Sequence, residues 1–140
     1  MNRYIQKQCS KNVYTPAREL LKFTIPGRPV PKHRPRASGA GHKMYVYTPV
    51  ETKRYERQVM LLAAAVAKGK TFFNDIAIDI KLYFADKKFG DIDNYAKSIL
   101  DGLQGTLFEN DKQVARLSVE RYIDKNERAE VIVEEVGDGS

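Results

Sequence analysis

The chain has 140 residues, enough for one domain that buries roughly two-thirds of its unfolded surface. Hydrophobic residues at 42% and charged residues at 30% fit a globular protein; no apolar run approaches the roughly 20 residues that cross a bilayer, the N-terminus lacks the apolar stretch of a secretory signal, and a single cysteine, Cys9, excludes an internal disulfide, so a cytoplasmic protein with no membrane partner is expected. The net charge of +6 hides an asymmetry, for residues 1–70 hold 15 Lys+Arg against 3 Asp+Glu and residues 71–140 hold 9 against 15, which predicts a polyanion-binding half and a half with another task.

Residues 1–19 are polar and without period, and are read as an N-terminal extension of loose structure. Leu20 to Ile25 reads as a strand that Pro26-Gly27 stops. The stretch GRPVPKHRPRASGAGHK follows, its prolines removing backbone donors and keeping it out of a central strand. It carries Arg28, Lys32, Arg34, Arg36 and Lys43. Met44 to Tyr47 reads as a short strand. Thr48, Pro49 and Glu51 then form a helix-start signal, and Tyr55, Val59, Leu62, Ala63 and Val66 supply a stripe at helical spacing up to Gly69. Lys53, Arg54 and Arg57 lie near the start of that helix. Asp75 to Phe84 alternates cleanly and predicts a strand with Ile76, Ile78, Ile80, Leu82 and Phe84 on its core face. Ile92, Tyr95, Ala96, Ile99, Leu100 and Leu103 predict an amphipathic helix over 92–103, with Gly105 as its C-cap. Strands over 114–122 and 129–136 and a loose tail at 137–140 complete the chain. The expected fold is α+β, a single domain at 20–136 in the order β-β-α-β-α-β-β, with a mixed or antiparallel sheet and two main helices on one face.

The stretch GDIDNYAKSILDGL, residues 90–103, gathers three aspartates within a basic protein. Asp93, Lys97 and Asp101 recur at i, i+4 and i+8, so they share one face opposite the apolar stripe. Asp91 precedes the first turn, and Asp111 lies in the turn before the next strand. Each residue taken singly has an ordinary reading: Asp91 as an N-cap, Asp93 as a partner of the helix dipole, Lys97 as an i+4 ion-pair partner, Asp111 as a turn residue. Taken together they conflict, because two carboxylates about 4 Å apart repel by roughly 4 kcal/mol at an effective dielectric near 20. A cluster of three therefore needs protonation, spreading apart or a bound cation, and a hard divalent cation such as Mg²⁺ would turn a cluster that repels phosphate into one that attracts it. If the strand after Asp111 pairs beside the strand ending at Phe84, Asp111 approaches Asp91 and Asp93. The D-x-D-N pattern is not a calcium-binding EF-hand loop, since its sixth position is Ala96 where that loop needs glycine. The two histidines, His33 and His42, both lie in the basic loop, away from the aspartates.

These residues resemble the RusA family of Holliday-junction resolvases. The family signature D-x-D-N-x-x-K, a further aspartate four residues on, and D-x-Q-V is met here by Asp91, Asp93, Asn94, Lys97, Asp101, Asp111, Gln113 and Val114. The upstream IPGRPVPKHRPR and YTPVETKRYE resemble the version found in phage and prophage members, and the similarity runs from about residue 20 to residue 136. The resemblance implies a Mg²⁺-dependent endonuclease, with Mn²⁺ as a substitute, that cuts four-way junction DNA by symmetric nicks in recombination and repair. It implies Asp91, Asp93 and Asp111 as metal-holding catalytic aspartates, Lys97 as the catalytic lysine, and Asn94 and Asp101 in support. It departs from the better-known form in its longer N-terminal extension, a shorter loop before Asp111, and Asn110 where that form has a second acidic residue.

The resemblance also implies a homodimer, which suits a four-way junction because a two-fold dimer offers two identical sites to two symmetric strands. Arg28, Lys32, Arg34, Arg36, Lys43, Lys53, Arg54 and Arg57 are then expected to line the DNA surface, each phosphate neutralised adding about 0.9 to the log–log salt slope. Two other readings stay open at this point: a non-catalytic nucleic-acid-binding protein of the same fold, and a nuclease for other branched DNA or for RNA.

Overall fold

The computed structural model describes residues 20–33 and 49–136. Four strands, β1 (Leu20–Pro26), β2 (Ile76–Phe84), β3 (Val114–Ile123) and β4 (Arg128–Glu135), form one sheet in the order β1-β4-β2-β3. Two helices, α1 (Pro49–Ala67) and α2 (Ile92–Leu103), pack on one face of it. The α+β architecture with a mixed sheet is therefore as the sequence predicts. The short strand expected at 44–47, the N-terminal extension and the C-terminal tail lie outside the described residues.

The sheet gains its mixed character from one connection. β1 and β4 pair antiparallel, as do β4 and β2, but β2 and β3 pair parallel, from Ile76 opposite Val114 to Phe84 opposite Ile123. Parallel neighbours cannot be joined by a hairpin and need a crossover, and α2 is that crossover. Its length follows from its sequence, since the apolar stripe from Ile92 to Leu103 runs unbroken and Gly105, at φ +90, takes the left-handed conformation that ends the turn.

The core lies between the sheet and both helices. β2 buries Ile76, Ile78, Ile80, Leu82 and Phe84 on the helix side, as its alternation predicts, while β4 adds Ala129, Val131 and Val133. Each such branched or aromatic side chain contributes roughly 1.5–3 kcal/mol on burial. α1 answers with Tyr55, Val59, Ala63 and Ala67, and α2 with Tyr95, Ala96, Ile99 and Leu103. The helices meet at Gly102, where an added Cβ would stand 2.7 Å from the Glu56 carbonyl oxygen and 2.8 Å from Val59 Cβ. That close approach sets Glu56 of α1 beside the polar face of α2.

β3 is the exception to this burial. It takes the outer position in the sheet, and its helix-side residues Leu117 and Ile123 are 41% and 52% exposed. A shallow groove between it and α2 is lined by Ile92, Ala96, Lys97, Leu100, Leu117 and Val119.

Candidate functional site

The first turn of α2 presents two uncommitted carboxylates. Asp91 occupies the N-cap position in extended conformation, yet its side chain makes no capping hydrogen bond. A cap of that kind is normally worth about 1 kcal/mol, so this aspartate forgoes its ordinary structural role. Asp93 lies in the same turn, and both residues are exposed. The loop before them is pinned from below, for the Gly90 N–H donates to the Tyr95 hydroxyl at 3.0 Å. Beside them Asn94 turns a buried side-chain oxygen, Oδ1, that has no hydrogen-bond partner among the described residues.

The middle of the helix is organised differently. Lys97 Nζ stands 3.2 Å from Asp101 Oδ1 and 3.9 Å from Asp111 Oδ2. The other oxygen of Asp101, Oδ2, is 2.7 Å from Lys32 Nζ, and Lys32 reaches Glu56 Oε2 at 2.9 Å. One carboxylate thus bridges two ammonium groups. Burial works against the Asp101 carboxylate, but hydrogen bonds from Lys32 and then Lys97 outweigh it and hold its pKa below the ordinary value. Lys32 shifts the other way, raised chiefly by its hydrogen bond to Asp101, against burial, and then by Glu56.

The loop that brings Lys32 here is stapled to both helices. The Ser98 hydroxyl donates to the Val30 carbonyl at 2.6 Å, Thr52 donates to the Pro31 carbonyl at 3.0 Å, and the Lys32 N–H donates to the Asn94 carbonyl at 2.9 Å. Ser98 and Thr52 are the buried polar residues of the helix interface, and these bonds account for their presence there.

Asp111 is fixed by its own small device. It opens a short 3₁₀ turn, Asp111–Gln113, capped by Asn110, whose side chain accepts from the Lys112 N–H at 2.8 Å. Gln113 returns the bond, its Oε1 accepting from the Asn110 N–H at 3.1 Å. Its Nε2 donates to the Phe72 and Asn74 carbonyls at 2.9 and 3.1 Å, tying the turn to the chain that leads into β2. The motif reading noted Gln113 without giving it a task. The spacing of Asn110 and Gln113 is a capping box, and that was the available signal.

β3 does pair beside β2, but in parallel, and this changes where Asp111 goes. It arrives at the Ile76 end of β2, while Asp91 follows the Phe84 end. The contacts gather Asp111 with Lys97 and Asp101. The expected convergence of Asp91, Asp93 and Asp111 is not drawn, since no group of three or more His, Cys, Asp or Glu residues among the described ones is placed to hold a metal ion. The donor chemistry of the first turn still suits a hard cation. Mg²⁺ is commonly held by one or two carboxylates and completes its shell with water and substrate phosphate.

The basic residues divide into two sets. Lys53, Arg54 and Arg57 are exposed on the first turns of α1, around a shallow hollow shared with Pro49 and Val50, and Lys53 Nζ also lies 3.6 Å from Glu56 Oε1. Arg28 and Lys32, expected from sequence as DNA contacts, meet carboxylates of this chain. Arg28 pairs with Glu127 at 2.6 Å and Asp86 at 3.2 Å, bonds the Lys88 carbonyl, and lies over the Phe84 ring. Arg34, Arg36 and Lys43 lie outside the described residues.

Among the described residues, no helix is long and apolar enough to cross a membrane. Comparison with known proteins places these features in a family. The chain is 27% identical over 139 residues to the uncharacterized protein YqaN of Bacillus subtilis strain 168, which covers 84% of this chain and 98% of that protein. Residues 26–134 match the family model of the endodeoxyribonuclease RusA, a span that begins at the last residue of β1 and holds both helices, β2, β3, all of β4 but Glu135, and every aspartate and lysine of the site. With Asp93, Lys97 and Asp101 set along one face of the crossover helix and Asp111 brought to Lys97, the chain belongs to the RusA endodeoxyribonuclease family.

Proposed function

We propose that this protein is a Mg²⁺-dependent, structure-selective endonuclease that resolves Holliday junctions by paired symmetric cuts. The observation that carries the reading is the polar face of α2, where uncommitted carboxylates at Asp91 and Asp93 precede Lys97, itself flanked by Asp101 and Asp111. A pure binding surface gains nothing from carboxylates turned toward phosphate. Asp91 and Asp93 hold the metal, and Mg²⁺, or Mn²⁺ in its place, supplies when bound the Lewis acidity and the acidified water that phosphodiester hydrolysis needs. The Lys97 ammonium, 41% exposed at its side chain, meets the charge that develops on the phosphate oxygens. Asp111 keeps that ammonium at the solvent side of the helix, and Asn94 supports the first turn. Lys53, Arg54 and Arg57 carry the duplex arms, together with Arg34, Arg36 and Lys43.

The reading includes a homodimer. The outer edge of β3 supports it, for antiparallel pairing of β3 with its own copy about Ser118 would set Leu117 opposite Val119 and Arg116 opposite Glu120, each pair twice by symmetry. It would bring two sites to one two-fold axis.

The test incubates wild type and Asp93→Asn with a synthetic four-way junction and with its linear duplex arms, in Mg²⁺ and in EDTA. Paired nicks in the junction with Mg²⁺ alone, and a variant that binds without cutting, are the expected result. Binding by wild type with no cleavage in Mg²⁺ or Mn²⁺ makes this a non-catalytic member of the family. Cleavage of flaps, forks or RNA in preference to the junction replaces the substrate and keeps the chemistry.

A further inference from the structure

Lys32 is the residue whose place in the structure departs most from its place in the sequence. It belongs to a basic loop, yet its ammonium is turned inward to Asp101 Oδ2 at 2.7 Å and Glu56 Oε2 at 2.9 Å. Its neighbours Val30 and Pro31 are bonded by Ser98 and Thr52, and its own N–H is bonded to the Asn94 carbonyl. Five polar contacts therefore fix one lysine over the crossing of the two helices. A phosphate contact needs none of them.

The consequence falls on Lys97. The side chains of Glu56 and Asp101 are 12% and 19% exposed, and a single nitrogen lies within 2.9 Å of an oxygen from each. Without that nitrogen two poorly hydrated carboxylates would face each other, Glu56 left with the exposed Lys53 at 3.6 Å and Asp101 with Lys97 at 3.2 Å. Asp101 would then turn toward the cation left to it among the described residues, Lys97. With Lys32 in place, Asp101 offers Lys97 a single oxygen, Oδ1 at 3.2 Å. The ammonium of Lys97 keeps donors free for a phosphate oxygen.

We infer that Lys32, backed by Glu56, is a positioning residue that anchors Asp101 and so holds Lys97 half-paired and ready for substrate. It acts through Asp101 and makes no contact with DNA. This rests on the nuclease reading for its effect on turnover, but the placement of Lys97 is measurable apart from any cleavage.

The experiment compares Lys32→Met, Lys32→Arg, Asp101→Asn and the double variant Lys32→Met/Asp101→Asn. Lys32→Met is expected to lower kcat by about 10²-fold, the cost of misplacing a reacting group by about an ångström, with the affinity for junction DNA and its salt slope unchanged. A lost phosphate contact would instead lower the slope by about 0.9. The double variant should be no slower than the slower single variant, as for two residues acting in one chain. Lys32→Arg should restore part of kcat, and it keeps the test alive if Lys32→Met fails to fold. The second readout is the rate of amine labelling of Lys97, followed by mass spectrometry without DNA. It should fall at least about threefold in Lys32→Met as Asp101 closes on Lys97, and stay at its wild-type value in Lys32→Arg. Unchanged labelling in a folded Lys32→Met protein, or a salt slope lowered by about one, overturns the inference. If wild type cuts no DNA at all, the nuclease reading falls, and labelling with the salt slope still decides the role of Lys32.

Discussion

The two ends of one short helix do opposite things with the same residue type. At the start of α2, Asp91 sits at the capping position and caps nothing, and Asp93 beside it is exposed. Two turns later Asp101 spends both oxygens, one on Lys97 and one on Lys32. A carboxylate that leaves a local bond unmade is available for a ligand. One that bridges two ammonium groups is a strut. The difference teaches that a run of aspartates on one face is not a single site, and that the number of bonds already made separates the ligand end from the supporting end.

The largest effect should come from removing a charge at the uncommitted end. Asp93→Asn is expected to lower junction cleavage by about 10³-fold or more, on the scale of losing a group that stabilises the transition state. Its melting temperature should stay within about a degree of wild type, because its side chain makes no ion pair or hydrogen bond with the other described residues. Asp101→Asn should show the reverse balance, with a smaller loss of cleavage, about 10–100-fold, and a clear loss of stability. Measuring cleavage and melting on the same preparations breaks the comparison if the two variants change both quantities alike.

Next in size is the joint that brings the supporting end together. At Gly102 an added Cβ would meet the Glu56 carbonyl oxygen at 2.7 Å and Val59 Cβ at 2.8 Å, both of them parts of the α1 backbone or close to it. Gly102→Ala should therefore push the helices apart and cost about 1–3 kcal/mol in chemical denaturation. Because Glu56 and Asp101 flank the joint, cleavage should fall with it, while the uncommitted first turn is untouched. A variant of unchanged stability would mean that the helices separate freely.

Much of this was legible in the sequence, and the parts that were not share a cause. The stripe from Ile92 to Leu103 is periodic at 3.6 residues, and that alone places Asp93, Lys97 and Asp101 on one face. The alternation in β2 likewise named its buried side. What periodicity cannot carry is pairing across the chain. The parallel match of β2 with β3 brings Asp111 in at the Ile76 end of the sheet, beside Lys97, and neither strand's own pattern records a direction. Lys32 meets Asp101 across 69 positions of sequence, in a loop whose composition speaks of DNA. Its pairing was invisible because charge is additive along a sequence and its neutralisation is a matter of three dimensions.

A smaller effect tests the core below the site. The Tyr55 hydroxyl is buried with no hydrogen-bond partner among the described residues, and burial pushes its pKa well above the usual tyrosine value. An unpaired buried polar group costs on the order of 1 kcal/mol or more, so Tyr55→Phe should raise stability by about 1 kcal/mol. A loss of stability instead would show that the hydroxyl has a partner in the folded protein, and a loss of cleavage with it would place that partner near the site.

The smallest expected effect is the dependence of stability on pH, and it separates the two ends of α2 once more. Asp101 has a folded pKa below its unfolded value, near 3.9. Its contribution is therefore fully present above that value and is lost as pH falls through the lower folded one. Lys32 is shifted upward from 10.5, so its contribution is complete below that pH and is lost as pH rises through the higher folded value. The bridge between them thus has an acid edge set by Asp101 and an alkaline edge set by Lys32, each worth on the order of 1 kcal/mol. Thermal melts across the pH range should show both edges in wild type. Asp101→Asn should shrink the acid edge, to which Asp86 and Asp124, also held below the ordinary carboxylate value, contribute, and, by taking away the largest cause of the Lys32 shift, weaken the alkaline one as well. Asp93→Asn should leave both in place, because its carboxylate takes no part in that bridge. An acid edge that shrinks in Asp93→Asn and is unchanged in Asp101→Asn would invert the assignment of ligand end and supporting end.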